Sequence, residues 1–154
     1  GGLTIAWTDN DGAHALQAPV SGALAPVAFV PGSGSSTKAA RKLLPESVSH
    51  ADAVANAARS ALLVEALRSH PDDLMAATED RLHQPYRASA MPRTAALVSE
   101  LREAGIPAVV SGAGPTVLAL TTTQTRARAE GYARRGWTAL PLDADTKGAH
   151  IAPL

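Results

Sequence analysis

The chain contains no cysteine among its 154 residues, and aromatic side chains make up only 3% of it. The absence of cysteine excludes a disulfide framework and thiolate catalysis. With so few aromatic residues, a hydrophobic core must consist mainly of alanine, leucine and valine. The length suits one domain with a single core, and 45% hydrophobic content is typical of a globular protein.

The chain also has no net charge, because its 14 basic side chains balance 14 acidic ones. Without a basic run, nucleic acid or an anionic membrane is not expected as the main partner. No apolar stretch approaches the roughly 20 residues that span a membrane. No charged segment followed by an apolar one marks a signal peptide. We therefore expect a cytoplasmic protein.

The first third of the chain predicts strands. Alternating segments at 3–8 and 13–18 flank turn residues at 9–12, a pattern typical of a hairpin. An apolar run bounded by prolines at 26–31 predicts a buried strand. A short helix is expected over 37–44, before Pro45.

Helices are predicted in the middle of the chain. Ser49, with Asp52 three residues later, is a plausible N-cap for a helix to about Arg68. Its expected packing face consists of Val54, Ala57, Ala58, Ala61, Leu62 and Val64. Further helices are expected over 71–81, where acidic residues follow a proline, and over 92–104, ended by Gly105. A last helix, polar and basic outside, is expected over 123–135.

A glycine-rich turn lies between two apolar runs at 109–120 and predicts strand, tight turn and strand. Its residues Ser111, Gly112, Ala113 and Gly114 allow positive φ and a close approach to something bulky. Consecutive N–H groups there could form a nest for an anion. The alternative is an ordinary hairpin whose glycines only make the corner.

Closing strands are expected at 137–140 and 149–151. Strands and helices interleave, and the hairpins make the sheet mainly antiparallel. The fold class is therefore α+β, with helices packed on one face of the sheet.

Two segments contain candidate binding residues. The glycine-serine loop at 32–36 lacks the Gly-Lys-Ser/Thr ending of a phosphate-binding loop, so a flexible connection is favoured. Behind it, Arg41 could lie on the first turns of a helix with a fork suited to a carboxylate. Arg87 ends a polar link at 80–87 and could be aimed at a ligand. Alternatively, Arg81 and Arg87 pair with nearby acids at the surface.

Other polar residues carry weaker signals. The five histidines are scattered without metal-ligand spacing, so no metal site is assigned. Asp52 and Asn56 lie four apart on one helix face and could form a polar spot, although Asp52 is explained more simply by capping. No catalytic residue can be named from these patterns.

Five segments together resemble bacterial homoserine kinases, a family in the superfamily of galactokinase, homoserine kinase, mevalonate kinase and phosphomevalonate kinase. The resemblance covers nearly the whole chain, and the segment ending in Arg87 and that ending in Arg41 are its most specific parts. The segments at 1–5, 36–41, 49–56, 79–87 and 111–116 read Gly-Gly-Leu-Thr-Ile, Ser-Thr-Lys-Ala-Ala-Arg, Ser-His-Ala-Asp-Ala-Val-Ala-Asn, Glu-Asp-Arg-Leu-His-Gln-Pro-Tyr-Arg and Ser-Gly-Ala-Gly-Pro-Thr.

The resemblance implies the C-terminal part of an enzyme that phosphorylates L-homoserine with ATP on the way to threonine. The family's Pro-x-x-x-Gly-Leu-Gly-Ser-Ser-Ala phosphate loop is missing, so we expect a fragment that is inactive alone. ATP and Mg²⁺ would bind mainly through the missing N-terminal half. The implied fold is a ferredoxin-like domain over 23–154, with 1–22 as remnant strands of the N-terminal domain.

By the same resemblance, Arg41 and Arg87 would bind the substrate, most plausibly at its carboxylate. The turn formed by Ser111, Gly112, Ala113 and Gly114 would approach the substrate and support the phosphate loop. A homodimer is left open. The alternative from another class is a non-catalytic α+β domain that binds an amino acid and has a regulatory or assembly role.

Overall fold

The computed structural model describes residues 1–32 and 43–149. Arg41 lies outside the described residues. So do most of the helix predicted over 37–44 and the last two residues of the strand predicted over 149–151.

The chain begins with a hairpin that forms a sheet of its own. Strands β1 (Leu3–Asp9) and β2 (Gly12–Ala18) pair antiparallel, with Leu3 opposite Ala18. Trp7 stacks on His14 across the strands, with ring centroids 5.2 Å apart. The hairpin predicted from alternation is confirmed.

The main sheet has four antiparallel strands in the order β4-β5-β3-β6. They are β3 (Val27–Pro31), β4 (Ala108–Val110), β5 (Val117–Ala119) and β6 (Trp137–Pro141). Helices connect β3 to β4 and β5 to β6, while the glycine-rich turn joins β4 to β5. This strand–helix–strand–strand–helix–strand connectivity is that of a ferredoxin-like fold. It confirms the α+β class predicted from the sequence patterns and the ferredoxin-like domain that the resemblance implies.

Five α-helices lie in the described part of the chain, and none is long and apolar enough to cross a membrane. They are α1 (His50–Arg68), α2 (Leu74–Ala77), α3 (Gln84–Arg87), α4 (Pro92–Glu103) and α5 (Arg126–Glu130). Single 3₁₀ turns, Pro71–Asp73 and Ala88–Ala90, precede α2 and follow α3.

Two clusters of apolar side chains hold these elements together. The larger one packs α4 and α5 on one face of the main sheet and is built from Val27, Phe29, Leu97, Leu101, Ile106, Ala108, Val117, Ala119, Ala129 and Trp137. The smaller one joins α1 to α2 through Leu24, Ala66, Leu74 and Ala77. Aliphatic residues therefore dominate both clusters, as the scarcity of aromatic residues implies.

Helix α1 begins and ends where the sequence predicts. The Ser49 hydroxyl accepts the Asp52 backbone N–H at 3.1 Å. Its expected packing face is largely wrong, however, because Val54, Ala57, Ala58 and Ala61 are exposed. The inner side is formed near the C-terminal end instead, by Leu62, Leu63, Ala66 and Leu67. An alanine-rich helix presents small apolar groups on every side, so the periodicity could not select the face.

Two further helices are shorter than predicted. The helix expected over 71–81 ends at Ala77, where the Thr78 hydroxyl donates to the Leu74 carbonyl at 2.6 Å. The helix expected over 123–135 covers only Arg126–Glu130. Pro85 lies in the first turn of α3, where its missing N–H is not needed.

Candidate functional site

A pocket of about 300 Å³ opens between α1, the segment from Ala77 to Met91, and the β4–β5 turn. Its lining includes Asn56, Asp80, His83, Gln84, Arg87 and Gly112. The pocket thus joins two segments predicted separately from the sequence, the polar link at 80–87 and the glycine-rich turn.

Arg87 is the most unusual residue of this pocket. Only 9% of its surface is exposed, and its buried Nε atom has no hydrogen-bond partner among the described residues. This is unusual, because burial of a lone charge is costly and a buried guanidinium is almost always paired. The alternative that Arg87 pairs with an acid at the surface is wrong, because its side chain is buried. The same alternative is correct for Arg81, whose exposed guanidinium lies 3.5 Å from Asp52.

The turn before Arg87 is organised by the Asp80 carboxylate. It accepts the backbone N–H groups of Leu82, His83 and Gln84 at 2.7–3.2 Å. The Asn56 side-chain NH₂ donates to it at 3.1 Å, and the Asn56 side-chain oxygen Oδ1 accepts the Arg81 backbone N–H at 2.8 Å. Asn56 therefore ties α1 to this turn, and its predicted polar spot with Asp52 faces the 80–87 segment.

These hydrogen bonds keep Asp80 ionised. Partial burial opposes ionisation, but the N–H donors of Gln84, Leu82 and His83 and the Asn56 amide outweigh it. The pKa of the Asp80 carboxyl consequently lies below its ordinary value. With its lone pairs occupied by these donors, Asp80 serves the backbone more than the pocket.

The glycine-rich turn presents two different glycines. Gly112 has φ +57° and Gly114 has φ +80°, both in the left-handed region. A Cβ added to Gly112 would meet nothing within 4 Å, whereas one on Gly114 would lie 2.6 Å from Met91 Sδ and 2.9 Å from Val110 Cγ1. Gly112 therefore borders open space in the pocket, and Gly114 packs against Met91 and Val110.

Hydrogen bonding inside the turn leaves two donors unused. The Ser111 N–H donates to the Thr116 carbonyl and the Gly114 N–H to the Ser111 carbonyl, at 2.8 and 2.9 Å. The N–H groups of Gly112 and Ala113 have no acceptor within the described ranges 1–32 and 43–149.

Of the predicted site residues, Arg87 and Gly112 line one pocket. Ser111, Ala113 and Gly114 lie outside its lining, and Arg41 outside the described residues. Sequence reasoning assigned no role to Gln84, whose side-chain oxygen accepts the Val110 N–H at 2.8 Å. Only its place within the specific Arg-Leu-His-Gln-Pro-Tyr-Arg motif could have drawn attention to it.

The late basic helix proves to be structural. Arg126 donates to the Ala25 carbonyl at 3.2 Å and to Asp143 at 2.7 Å, and Arg128 donates to the Ala104 carbonyl. Both arginines therefore hold neighbouring backbone segments. Within the described ranges, no group of three or more histidine and acidic side chains could hold a metal ion.

Comparison with known proteins decides the family. The model described as GHMP kinases C terminal matches residues 58–137. The chain belongs to this family of GHMP kinase C-terminal domains. Its helices and four-stranded sheet agree with that assignment.

Curated relatives of this GHMP kinase domain are much longer. Homoserine kinases of Streptomyces coelicolor and Streptomyces avermitilis are 53% and 52% identical over the whole chain, and that of Clavibacter michiganensis is 51% identical over 98% of it. The chain spans about half the length of these relatives, between 49% and 50%.

Solved structures agree on the fold. A homoserine kinase from Cytophaga hutchinsonii superimposes with a TM-score of 0.71 at 23% identity, covering 89% of this chain and 46% of that one. A putative homoserine kinase from Listeria monocytogenes gives a TM-score of 0.60 at 19% identity, covering 92% of this chain and 48% of that one.

The Asp80 network predicts a pH-dependent stability. Since the pKa of Asp80 is lowered on folding, its ionised form stabilises the fold above the unfolded-state pKa. This contribution is lost as the pH falls from about 4 through the folded-state pKa. Asp80→Asn should lower the free energy of unfolding at pH 7 by about 1–3 kcal/mol, because an amide N–H₂ would face backbone donors. Urea unfolding from pH 7 down to pH 3 measures both effects.

The matched control for that series is Asp11→Asn, on the exposed turn of the first hairpin. It should change stability by less than about 0.5 kcal/mol at pH 7. A stability difference between wild type and Asp80→Asn that stays constant as the pH falls would contradict the role assigned to the Asp80 carboxylate.

The two glycines should respond differently to a methyl group. Gly112→Ala should cost about 1–2 kcal/mol, the strain of a left-handed alanine. Gly114→Ala should cost about 1–3 kcal/mol more, since its Cβ would overlap Met91 and Val110. Chemical denaturation of the two variants side by side gives the comparison, and equal losses would contradict the packing difference.

Proposed function

We propose that this chain supplies the C-terminal half of a homoserine kinase. That enzyme transfers the γ-phosphoryl group of ATP to the side-chain hydroxyl of L-homoserine, giving O-phospho-L-homoserine for threonine biosynthesis in the cytoplasm. The relatives' names and about 50% identity over the whole chain support the proposal. Because those relatives are about twice as long, the activity proposed is that of the whole protein.

The observation that carries the proposal is the buried side chain of Arg87, whose Nε has no hydrogen-bond partner among the described residues. A buried cation with an unused donor suits an anionic group on the ligand. The planar fork of arginine matches a carboxylate in two-point contact. A cavity of about 300 Å³ has room for a small amino acid. Arg87 would therefore hold the homoserine carboxylate, and Arg41 would contribute a second guanidinium.

The glycine-rich turn would form the opposite wall. Gly112 borders the pocket, and the N–H groups of Gly112 and Ala113 are unused among the described residues. Such donors in a turn favour negative charge, so they suit a substrate or phosphate oxygen. Ser111 and Gly114 would support the turn through its internal hydrogen bonds.

Phosphoryl transfer depends mostly on positioning and on compensating charge. This chain would position the amino acid, with Arg87 fixing its carboxylate end and the turn limiting its approach. The described acids do not suit Mg²⁺, since no metal-binding cluster occurs among them and Asp80 is engaged with backbone donors. We therefore propose that ATP and Mg²⁺ bind mainly through residues that this chain does not contain.

The protein as its gene encodes it should form ADP in the presence of Mg²⁺, ATP and L-homoserine. The product should be O-phospho-L-homoserine, identified by phosphorus NMR, while L-serine and L-threonine act as control substrates. The 154-residue chain alone should show no such turnover. Binding of L-homoserine without phosphorylation by the encoded protein would instead favour the amino-acid-binding domain.

Arg87→Lys tests the role of the guanidinium. Lysine keeps the charge but loses the fork, which should lower kcat/KM for L-homoserine about 10- to 150-fold, equivalent to roughly 1.5–3 kcal/mol. The KM for ATP should stay nearly unchanged. The measurement is steady-state kinetics with L-homoserine varied at saturating ATP.

Arg135→Lys is the matched control, because Arg135 is exposed and outside the pocket. It should leave kcat/KM unchanged, as exposed charges contribute little. Equal small effects at both positions would show that Arg87 does not bind the substrate.

A further inference from the structure

Two neighbouring helices hold the ends of the glycine-rich turn: α3, which contains Arg87, and α4. At the entry, the side-chain oxygen of Gln84 in α3 accepts the Val110 backbone N–H at 2.8 Å. At the exit, the hydroxyl of Thr94 in α4 donates to the Pro115 carbonyl at 2.8 Å. Thr94 is 2% exposed. One side chain from each helix therefore anchors the turn, at residues five positions apart.

The hydrogen bond between Gln84 and Val110 lies at the β4 edge of the main sheet. Strand β4 lies at the end of the strand order, so one of its edges has no strand beside it within residues 1–32 and 43–149. A backbone N–H that is shielded there without an acceptor would be costly. Gln84 supplies that acceptor, as a neighbouring strand would.

Packing reinforces the two hydrogen bonds. Gly114 lies so close to Met91 that a Cβ would come within 2.6 Å of the sulfur. Met91 precedes α4, which begins at Pro92. Met91 therefore packs against the turn between the two residues that the hydrogen bonds hold.

Arg87 lies in the same helix as Gln84. It follows Gln84 by three residues in α3, and its backbone N–H donates to the His83 carbonyl at 3.3 Å. The Gln84 N–H is held by the Asp80 carboxylate at 2.7 Å. Any movement of Gln84 would therefore shift Arg87 relative to the turn.

We propose that Gln84 and Thr94 are positioning residues that hold the glycine-rich turn at a set distance from Arg87. They preform the pocket, so that a ligand held at its carboxylate by Arg87 meets the N–H groups of Gly112 and Ala113. The identity of that ligand rests on the proposed function, whereas the anchoring of the turn does not.

The test removes each hydrogen bond while keeping the side chain's size. Gln84→Met and Thr94→Val abolish the bonds, and Gln84→Glu and Thr94→Ser retain an acceptor and a hydroxyl. Amide hydrogen exchange by NMR on the protein as its gene encodes it is the first readout. Gln84→Met should speed exchange at Val110 and Ser111 roughly 3- to 10-fold, with α1 unchanged. Thr94→Val should speed it at Ser111 and Gly114, whose N–H groups are hydrogen-bonded within the turn.

Rescue separates positioning from general destabilisation. Gln84→Glu and Thr94→Ser should restore slow exchange in the turn. Unchanged exchange in Gln84→Met and Thr94→Val, or faster exchange spread evenly over the chain, would overturn the proposal. If either apolar variant fails to fold, comparing Thr94→Ser with wild type still decides, since lost protection of the turn despite the retained hydroxyl would also overturn it.

The second readout is kinetic and uses the protein as its gene encodes it. Gln84→Met and Thr94→Val should lower kcat/KM for L-homoserine roughly 3- to 10-fold and leave the KM for ATP unchanged. Wild-type protein without kinase activity would refute the proposed function, and exchange alone would then decide the anchoring. Normal kcat/KM in variants with a loosened turn would refute the functional part of this inference.

Discussion

The cage of N–H donors around the Asp80 carboxylate is the constraint on which the site depends. Three consecutive backbone donors and the Asn56 amide converge on it. This arrangement redirects the chain after α2 and starts α3 a few residues later. Since charge-assisted hydrogen bonds are among the stronger ones in proteins, a single ionised side chain can hold the turn that leads into α3.

Arg87 differs from the half-buried Arg102 in how its donors are used. Arg102 donates to the Thr78 hydroxyl and to the Met75 and Ala108 carbonyls, at 2.8–3.3 Å. Burial lowers the pKa of Arg102, but its donors are used to join α2, α4 and β4. Arg87 is more deeply buried, yet its Nε is unpaired among the described residues. This difference supports the role in ligand binding proposed for Arg87.

The two glycines of the β4–β5 turn also differ in their surroundings. Gly112 needs no side chain because φ is positive and the space beside it is open, whereas Gly114 needs none because Met91 and Val110 fill that space. The spacing of the glycines in the sequence is symmetrical around Ala113. Their surroundings are not symmetrical, because Gly112 lines the pocket and Gly114 packs against Met91 and Val110.

Local sequence patterns determined the α+β class, the hairpins, the cap at Ser49 and the motif ending in Arg87, because alternation, turn residues and capping act over a few neighbours. Only the tertiary structure decided which face of alanine-rich α1 is buried, that α2 ends at Ala77, and that Arg87 Nε has no partner among the described residues. It alone brought Gln84 to Val110 and Gly112 to Arg87. Burial and long-range hydrogen bonds depend on residues distant in the chain, and no local pattern encodes them.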